Sequence, residues 1–224
     1  MLKKILLGIV VLLVLGAGAS LMMTPKWHAE RAISVKAKPE TIYASVADLK
    51  QWETWAGWKS MDPSATWDFS GAALGQGAVM SWKGGKEGSG TLTLTKADPK
   101  SGVSYEMKME RMQTPSAGSI SFTPEGEGTK VTWVDNGDFG MFLPGRFFVG
   151  FMEKSLGKHF EESLGRLKTS AEKAQVAADE KAAAEAKAKA EAEAATAAKA
   201  AEEAKAAEEA AKKNPVKPAK GHKK

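Results

Sequence analysis

The aromatic residues of this chain are confined to its middle. All seven Trp, both Tyr and all eight Phe fall between Trp27 and Phe160, and the segments on either side have none. A hydrophobic core needs large apolar side chains, so only the middle of the chain is able to bury one. We therefore predict one globular domain at residues 25–171. A domain of this size buries about two thirds of its unfolded surface. With no Cys, it uses neither disulfides nor thiolate metal sites.

The N-terminus has the pattern of a membrane segment. An uncharged apolar run from Ile5 to Met23 follows Lys3 and Lys4, and it covers most of a hydrocarbon core of about 30 Å. We predict that residues 1–24 form a single-pass anchor in the inner (cytoplasmic) membrane. The basic N-terminus then stays in the cytoplasm and the domain lies on the periplasmic, extracytoplasmic side. The alternative is a signal peptide cleaved after Ala17–Ala19, but the apolar run continues past that site.

Strand and turn patterns dominate the first part of the middle domain. Trp27–Val35 alternates loosely as a strand, and Pro39 then opens a short helix, since Pro favours the first helical position. From Thr66 to Val134, turn residues recur about every ten residues, which is typical of an antiparallel meander. The strands are predicted at 67–69, 78–82, 90–96, 103–112, 119–123 and 129–135.

A long amphipathic helix is predicted at residues 144–170, opened by Leu143–Arg146. Apolar side chains recur along it every three or four residues. They are Phe148, Phe151, Met152, Leu156, Phe160, Leu164 and Leu167. The order of strand, helices, many strands and long helix implies an α+β fold, in which an antiparallel sheet is covered on one side. A twisted sheet wrapped around one helix leaves a wedge in which a ligand fits.

Several stretches of the middle domain resemble one protein family. They are Lys38–Tyr43, Trp52-x-x-Trp55-x-x-Trp58, Gly75-x-Gly77, Gly128–Trp133, and Gly140-x-x-x-Pro144-Gly145-Arg146 running into Phe151-Met152. In this order and spacing they are similar to the SRPBCC superfamily, also described as START-like or polyketide cyclase/dehydrase-like. Ala56-Gly57 departs from the pattern, because many relatives have a Pro there.

The resemblance implies a helix-grip fold with an apolar ligand. That fold has a curved antiparallel sheet, two short helices, and one long C-terminal helix over a hydrophobic cavity. Members of the superfamily bind lipids, sterols, polyketides and similar molecules, and only some of them are enzymes.

The segment at residues 172–213 consists mostly of Ala, Lys and Glu, which are strong helix formers. Pairs four apart, such as Glu185 and Lys189, add stability, and no recurring larger side chain forms a coiled-coil seam. We predict a solvated helix there and a basic, disordered tail at 214–224. The tail carries the net charge of +5, so an anionic envelope component is a candidate partner. No nucleic-acid partner is predicted, because the basic residues lie apart from the aromatics.

No catalytic residue, metal site or cofactor is predicted. His28 follows the membrane segment, His222 lies in the basic tail, and His159 is expected at the surface of the long helix without a facing carboxylate. Asp135–Asp138 lacks the spacing and the closing Glu of a calcium loop, so a plain turn is expected there. Glu110–Arg111 forms no ion pair inside a cavity, because neighbours on a strand face opposite ways.

Aromatic and Met side chains are the best candidates for a binding site. They are Trp55, Trp58, Trp82, Tyr105, Met107, Met109, Trp133, Phe151 and Met152. Any one of them alone is expected to fill the core, whereas the set, with its Met content, suits an adaptable apolar cavity. We therefore predict a membrane-tethered domain that binds or sequesters a hydrophobic small molecule or lipid.

Two alternative functions stay open at this point. The first is a cyclase, dehydratase or hydrolase acting on an apolar substrate, which needs an ionisable pair inside the cavity. The second is a structural envelope protein that acts through its C-terminal helical rod and basic tip.

Overall fold

The computed structural model describes residues 1–85, 88–110 and 114–213. The elements are α1 (Leu2–Leu21), β1 (Lys26–Val35), α2 (Pro39–Val46), α3 (Trp52–Trp55), α4 (Trp58–Met61), β2 (Thr66–Gly71), β3 (Ala78–Lys83), β4 (Gly90–Asp98), β5 (Gly102–Met109), β6 (Ser116–Glu125), β7 (Gly128–Asp138), α5 (Leu143–Arg146) and α6 (Val149–Lys213). The chain forms two compact units, Met1–Gln175 and Val176–Lys224. The predicted α+β class, with a curved antiparallel sheet and a long C-terminal helix, is confirmed.

The first unit is built on one seven-stranded antiparallel sheet in the order β1-β7-β6-β5-β4-β3-β2. Strands β2 to β7 form a meander, and β1 pairs with β7 from Lys26 opposite Asp138 to Val35 opposite Thr129. In an antiparallel sheet, neighbouring strands run in opposite directions. The starts of β1, β2, β4 and β6 therefore lie at the same end as the finishes of β3, β5 and β7. We call this end the anchor end, because α1, the predicted anchor, leads into β1 there.

Helix α6 packs on this sheet through large buried side chains. Phe160, Leu164 and Leu167 are buried in the core, and the Phe160 ring stacks on Trp133 of β7 with centroids 4.2 Å apart. Polar contacts fasten the helix to β1 and α2 as well. Arg31 Nε donates to Glu161 Oε1 (2.5 Å), Lys36 N to Glu172 Oε1 (2.8 Å), and Lys38 N to Gln175 Oε1 (3.0 Å). The helix thus runs alongside β1, away from the anchor end.

The start of the long helix differs from the prediction. Leu143–Arg146 forms the separate short helix α5, and α6 begins at Val149. Phe148 and Phe151, which were placed on the buried stripe, are exposed. Phe151 precedes Phe160 by nine residues, and at about 100° per residue this puts it on the opposite face. The predicted stripe was therefore wrong at its first turn.

The strands β6 and β7 are longer than predicted. Strand β7 runs to Asp138, and Ala29 of β1 lies opposite Asp135. The turn predicted at Asp135–Asp138 is therefore wrong, because pairing with β1 keeps this segment extended. Strand β5 ends at Met109, so the predicted strand was one residue too long at Glu110, and residues 111–112 of the prediction lie outside the described residues.

The Trp repeat forms two helical turns rather than one helix. Helix α3 ends at Trp55, and α4 begins after Gly57, whose φ of 75° is left-handed. Glycine adopts this conformation without a steric penalty, which explains why Gly57 stands at the break. The break lets Trp52 and Trp55 point into the core, while Trp58 is only half-buried.

The N-terminal helix α1 is long and apolar enough to cross a membrane, a criterion that a signal sequence also meets. Ser20 is its one buried residue. The second unit is helical from Val176 to residue 213 and exposed from Val176 to Glu209. Lys–Glu pairs four residues apart run along it, at Lys181–Glu185, Lys187–Glu191 and Lys189–Glu193, with N–O distances of 3.8 to 3.9 Å. The predicted basic tail at 214–224, with His222, lies outside the described residues.

The packing of α6 predicts a large difference between two truncations on that helix. Leu164→Ala should lower the free energy of unfolding by about 2–5 kcal/mol, because it leaves a cavity in the core. Val176→Ala, at an exposed position, should change it by less than about 0.5 kcal/mol. Denaturant titration of the full chain in detergent, followed by Trp fluorescence, measures both. Equal effects would contradict the packing described above.

Candidate functional site

The anchor end of the first unit contains a cavity of about 170 Å³. It lies between the sheet, α4 and the first turns of α6. Its walls are formed by Trp58, Asp62, Trp67, Trp82, Tyr105, Met107, Met109, Trp133, Asp135, Ser155, Leu156, His159 and Phe160. Ser155 is exposed and also lines the cavity, so the cavity reaches the surface there. An apolar cavity of about 150 Å³ is sufficient to bind benzene, so the space accommodates one ring or a short chain.

A hydrogen-bonded chain of three side chains runs along the sheet wall of the cavity. The Trp133 indole N–H donates to Tyr105 Oη at 2.9 Å, and the Tyr105 hydroxyl donates to Asp135 Oδ2 at 3.2 Å. All three residues are buried. In a medium of low dielectric such linked hydrogen bonds polarise one another, so Trp133 helps to direct the Tyr105 hydroxyl towards the carboxylate.

Gly118 makes this chain of hydrogen bonds possible. It lies on β6, between Tyr105 on β5 and Asp135 on β7, and it is paired with both. A Cβ atom at residue 118 would stand 2.3 Å from the Tyr105 hydroxyl oxygen and 2.2 Å from the ring. A glycine within a strand often marks such a close approach. Only glycine leaves the Tyr105 ring room to cross the strand and reach Asp135.

The Asp135 carboxyl is held in an unfavourable environment. Burial raises its pKa to about 6, against the opposing effects of the Tyr105 hydroxyl, the Asn136 backbone N–H and the Ser116 hydroxyl. Ser116 lies close enough to act on the carboxyl, but the two groups do not reach hydrogen-bond geometry. Asp135 Oδ1 consequently has no hydrogen-bond partner among the described residues. Burial and the nearby Asp135 charge raise the pKa of Tyr105 well above its ordinary value, so Tyr105 stays protonated.

His159 faces the cavity from α6. The Trp58 indole N–H donates to His159 Nε2 at 2.9 Å, so this nitrogen is the acceptor and the imidazole proton sits on Nδ1. Burial lowers the pKa of His159, and the positive charge of Arg166 lowers it further. The negative charge of Glu162 acts in the opposite direction but is the smallest of the three effects. A neutral imidazole therefore lies across the cavity from the sheet. The surface position predicted for His159 was wrong, because α6 turns this side chain towards Trp58.

A second carboxyl, Asp62, closes the cavity beside α4. It is buried, and its Oδ1 accepts hydrogen bonds from the backbone N–H and the hydroxyl of Ser64, at 3.3 and 2.7 Å. The cavity wall is thus mainly aromatic and thioether, and its other polar groups are Asp62, Asp135, Ser155 and His159. Within the described residues no cluster of three or more His, Cys, Asp or Glu is suited to a metal ion.

Six of the nine predicted ligand-binding residues line the cavity: Trp58, Trp82, Tyr105, Met107, Met109 and Trp133. Three do not. Trp55 is buried in the core, Phe151 is exposed on α6, and Met152 is half-buried outside the lining. Whether any of the nine binds a ligand remains a prediction.

The prediction missed Asp62, Trp67, Asp135, Ser155, Leu156, His159 and Phe160 as lining residues. Gly118 within a strand was the available signal for the Tyr105–Asp135 contact. The other two polar candidates lie away from the cavity. His28 is exposed and its Nδ1 lies 2.7 Å from Asn136 Oδ1, a contact that raises the pKa of His28. Glu110 is exposed at the end of β5.

A curved antiparallel sheet gripping a long C-terminal helix over an apolar cavity defines the helix-grip class of proteins. Residues 26–172 match the family described as polyketide cyclase / dehydrase and lipid transport. The chain belongs to this family, as the sequence resemblance predicted. No curated protein sequence matches the chain.

The chain is similar to solved structures of low sequence identity. A solution structure from Thermobifida fusca has 18% identity and a TM-score of 0.50, covering 66% of this chain and 95% of that one. A protein from Chromobacterium violaceum has 14% identity and a TM-score of 0.49, covering 65% and 96%. The di-domain ARO/CYC StfQ from the steffimycin biosynthetic pathway has 11% identity and a TM-score of 0.48, covering 66% of this chain and 51% of StfQ. At these identities the likeness concerns the fold alone.

The raised pKa of Asp135 predicts a pH-dependent loss of stability. The pKa is about 6 in the folded chain against an ordinary 3.8, so the stabilising effect of the neutral form is full below pH 3.8 and disappears as the pH rises through 6. Asp135→Asn removes this loss. The free energy of unfolding of Asp135→Asn minus that of the parent chain should therefore grow by up to about 3 kcal/mol between pH 3 and pH 8.

Denaturant titrations at several pH values measure this difference. The matched control is Asp68→Asn, at an exposed position on β2, which should show no comparable growth. A difference that is flat across this range for Asp135→Asn would show that the carboxyl is not desolvated as described.

Proposed function

We propose that this chain is a membrane-tethered protein that binds a small hydrophobic molecule, or the end of a lipid, in the cavity at the anchor end. The observation that supports this most is the composition of the cavity wall. Trp, Met, Leu and Phe side chains form most of it, and few polar groups converge on it. Such a wall is typical of sites that bind apolar small molecules. The membership of a family described by cyclases and lipid transport agrees with it.

The size and polarity of the cavity narrow the ligand class. At about 25 cal/mol per Å² of apolar surface removed from water, one ring or a short chain gives modest affinity, and the rest of a larger ligand extends past Ser155. Two buried polar atoms near the wall lack partners among the described residues, the Trp67 indole N–H and Asp135 Oδ1. A hydroxyl group both donates and accepts, so an apolar ligand with one hydroxyl complements either atom.

The tether is proposed from α1. Its 20 residues span about 30 Å at 1.5 Å per residue, which matches the hydrocarbon thickness of a bilayer. Its side chains are almost all exposed, as expected for a helix whose solvent is lipid. Lys3 and Lys4 before it favour a cytoplasmic N-terminus, and we therefore propose that the domain lies on the extracytoplasmic side.

The binding proposal predicts that a larger side chain placed inside the cavity weakens ligand binding. We expect the full chain in lipid nanodiscs to bind 4-ethylphenol, one apolar ring with one hydroxyl, with a saturable heat in isothermal titration calorimetry. Met107→Trp should weaken binding by at least about tenfold, because the larger side chain occupies the space of the ring. Empty nanodiscs correct for partition of the probe into lipid.

The control places a Trp away from the cavity. Leu74→Trp, at a position that is 53% exposed between β2 and β3, should leave the affinity of the parent chain unchanged. Binding that survives Met107→Trp as well as Leu74→Trp would place the ligand elsewhere.

An enzymatic role is the second candidate, because ionisable groups do face this cavity. Asp135, with a pKa of about 6, supplies a proton donor or acceptor near neutral pH. Tyr105 positions it, and neutral His159 lines the same space. Carboxyl groups with a perturbed pKa in a cavity are typical of catalytic sites. Asp135 and His159 together would support the dehydration of a hydroxy ketone, with loss of water.

The two candidates are separated by a turnover measurement. If the chain is a dehydratase, it converts a one-ring β-hydroxy ketone to the enone, seen as new ultraviolet absorbance, and Asp135→Asn abolishes turnover while retaining binding. If the chain only binds its ligand, neither the parent chain nor Asp135→Asn changes the absorbance, and both still bind the ligand.

A further inference from the structure

The exposed apolar side chains of the first unit concentrate beside the end of α1. Outside residues 1–23, seven large hydrophobic residues of the described chain are exposed, and five of them lie between residues 141 and 151. They are Met141, Phe142, Phe147, Phe148 and Phe151. All four exposed Phe residues of the described chain are in this set. Scattered exposed apolar residues are ordinary, but a concentrated patch marks an interaction surface. We call residues 141–151 the apolar segment.

Hydrogen bonds fix the apolar segment to the C-terminal end of α1. The Ser20 hydroxyl donates to the Leu143 carbonyl at 2.6 Å. Arg146 Nη1 donates to the carbonyls of Ser20 and Met23 at 3.3 and 3.4 Å, and its Nη2 donates to the Gly140 carbonyl at 2.8 Å. Arg146 is only 8% exposed. A cation at this helix end also interacts favourably with the helix dipole. The segment is therefore held at the point where α1 ends.

This attachment decides what faces the exposed side chains. A helix that spans the bilayer ends at the boundary between hydrocarbon and headgroups, so whatever is fastened to its last turn lies at that boundary. Leu21 and Met22 at the end of α1 are also exposed and extend the same apolar surface. Aromatic and aliphatic side chains at this depth bury their apolar surface among lipid chains. The occupant that the geometry favours is the bilayer that holds the anchor.

The same segment leads to the cavity mouth. Phe151, Ser155 and His159 are spaced four residues apart on α6, and residues at this spacing are neighbours on one helix face. Phe151 is 73% exposed, Ser155 is exposed at the mouth, and His159 lines the interior. A path along one row of side chains thus connects the apolar segment to the cavity.

We propose that the apolar segment inserts into the surface of the membrane at the exit of α1 and holds the cavity mouth against the lipid. A hydrophobic ligand then passes between bilayer and cavity without crossing water. This inference rests on the proposed tether by α1, and it adds a second membrane contact, a fixed orientation of the domain and a lipid source for the ligand.

Site-directed spin labelling of the full chain tests the proposal, since the chain has no Cys of its own. Single variants Phe148→Cys and Phe151→Cys carry a nitroxide in vesicles of phosphatidylethanolamine and phosphatidylglycerol. We expect power saturation to show these labels several-fold more accessible to oxygen, relative to a water-soluble nickel chelate, than the label of Leu74→Cys. Leu74 is 53% exposed in the β2–β3 turn, at the far end of the sheet, so it reports the aqueous value.

A fourth label separates the failure of this inference from the failure of the tether. Leu12→Cys, in the middle of α1, should report the bilayer interior if the anchor spans the membrane. Lipid exposure at residue 12 with aqueous values at residues 148 and 151 would overturn the membrane insertion of the apolar segment alone. Aqueous values at all three positions would overturn the tether and, with it, this inference.

Discussion

The ring of Trp133 is the point on which both the core and the cavity depend. One face stacks on Phe160 of α6 at 4.2 Å, and its edges meet Trp52 and Trp55 at 6.0 and 5.4 Å. Its N–H donates to Tyr105. The contact that docks the long helix on the sheet therefore also orients the hydroxyl that meets Asp135. Loss of this ring would disturb packing and polar geometry together, because buried aromatic pairs and buried hydrogen bonds both contribute to stability.

In the first unit, the packed core and the cavity lie at opposite ends of the sheet. At the far end, Gln175 and Glu172 fasten α6 to the backbone before α2, and Leu164 and Leu167 fill the interior. At the anchor end, the same helix no longer fills the space beneath it, and the walls change to Trp, Met and a few polar groups. Helix α6 is thus tightly packed at one end and stands over the cavity at the other. A cavity beside a rigid core keeps its shape without a ligand, which lowers the ordering cost of binding.

The sequence predicted the fold better than the site, for a physical reason. The periodic patterns of strands and helices can be read from residues close together in the sequence. The turn residues between Thr66 and Val134 predict the meander in the same way. The contact between Tyr105 and Asp135 depends instead on the register of three strands and on Gly118 between them. The position of His159 depends on how α6 is rotated about its own axis. The predicted apolar stripe did not give this rotation, because it included both Phe151 and Phe160, which lie on opposite faces of the helix. Residue types that suit a cavity were therefore predictable, whereas the polar groups that face it were not.

The exposed phenylalanines and the buried Asp135 have a common explanation. Each departs from the rule that apolar groups are buried and charged groups are solvated, and each has a cost to the isolated domain. Both lie at the anchor end, the exposed phenylalanines on the apolar segment and Asp135 in the wall of the cavity. Local departures of this kind mark functional positions in an otherwise consistent fold. A membrane beside the apolar segment and a ligand beside Asp135 would each supply the partner that the polypeptide alone lacks.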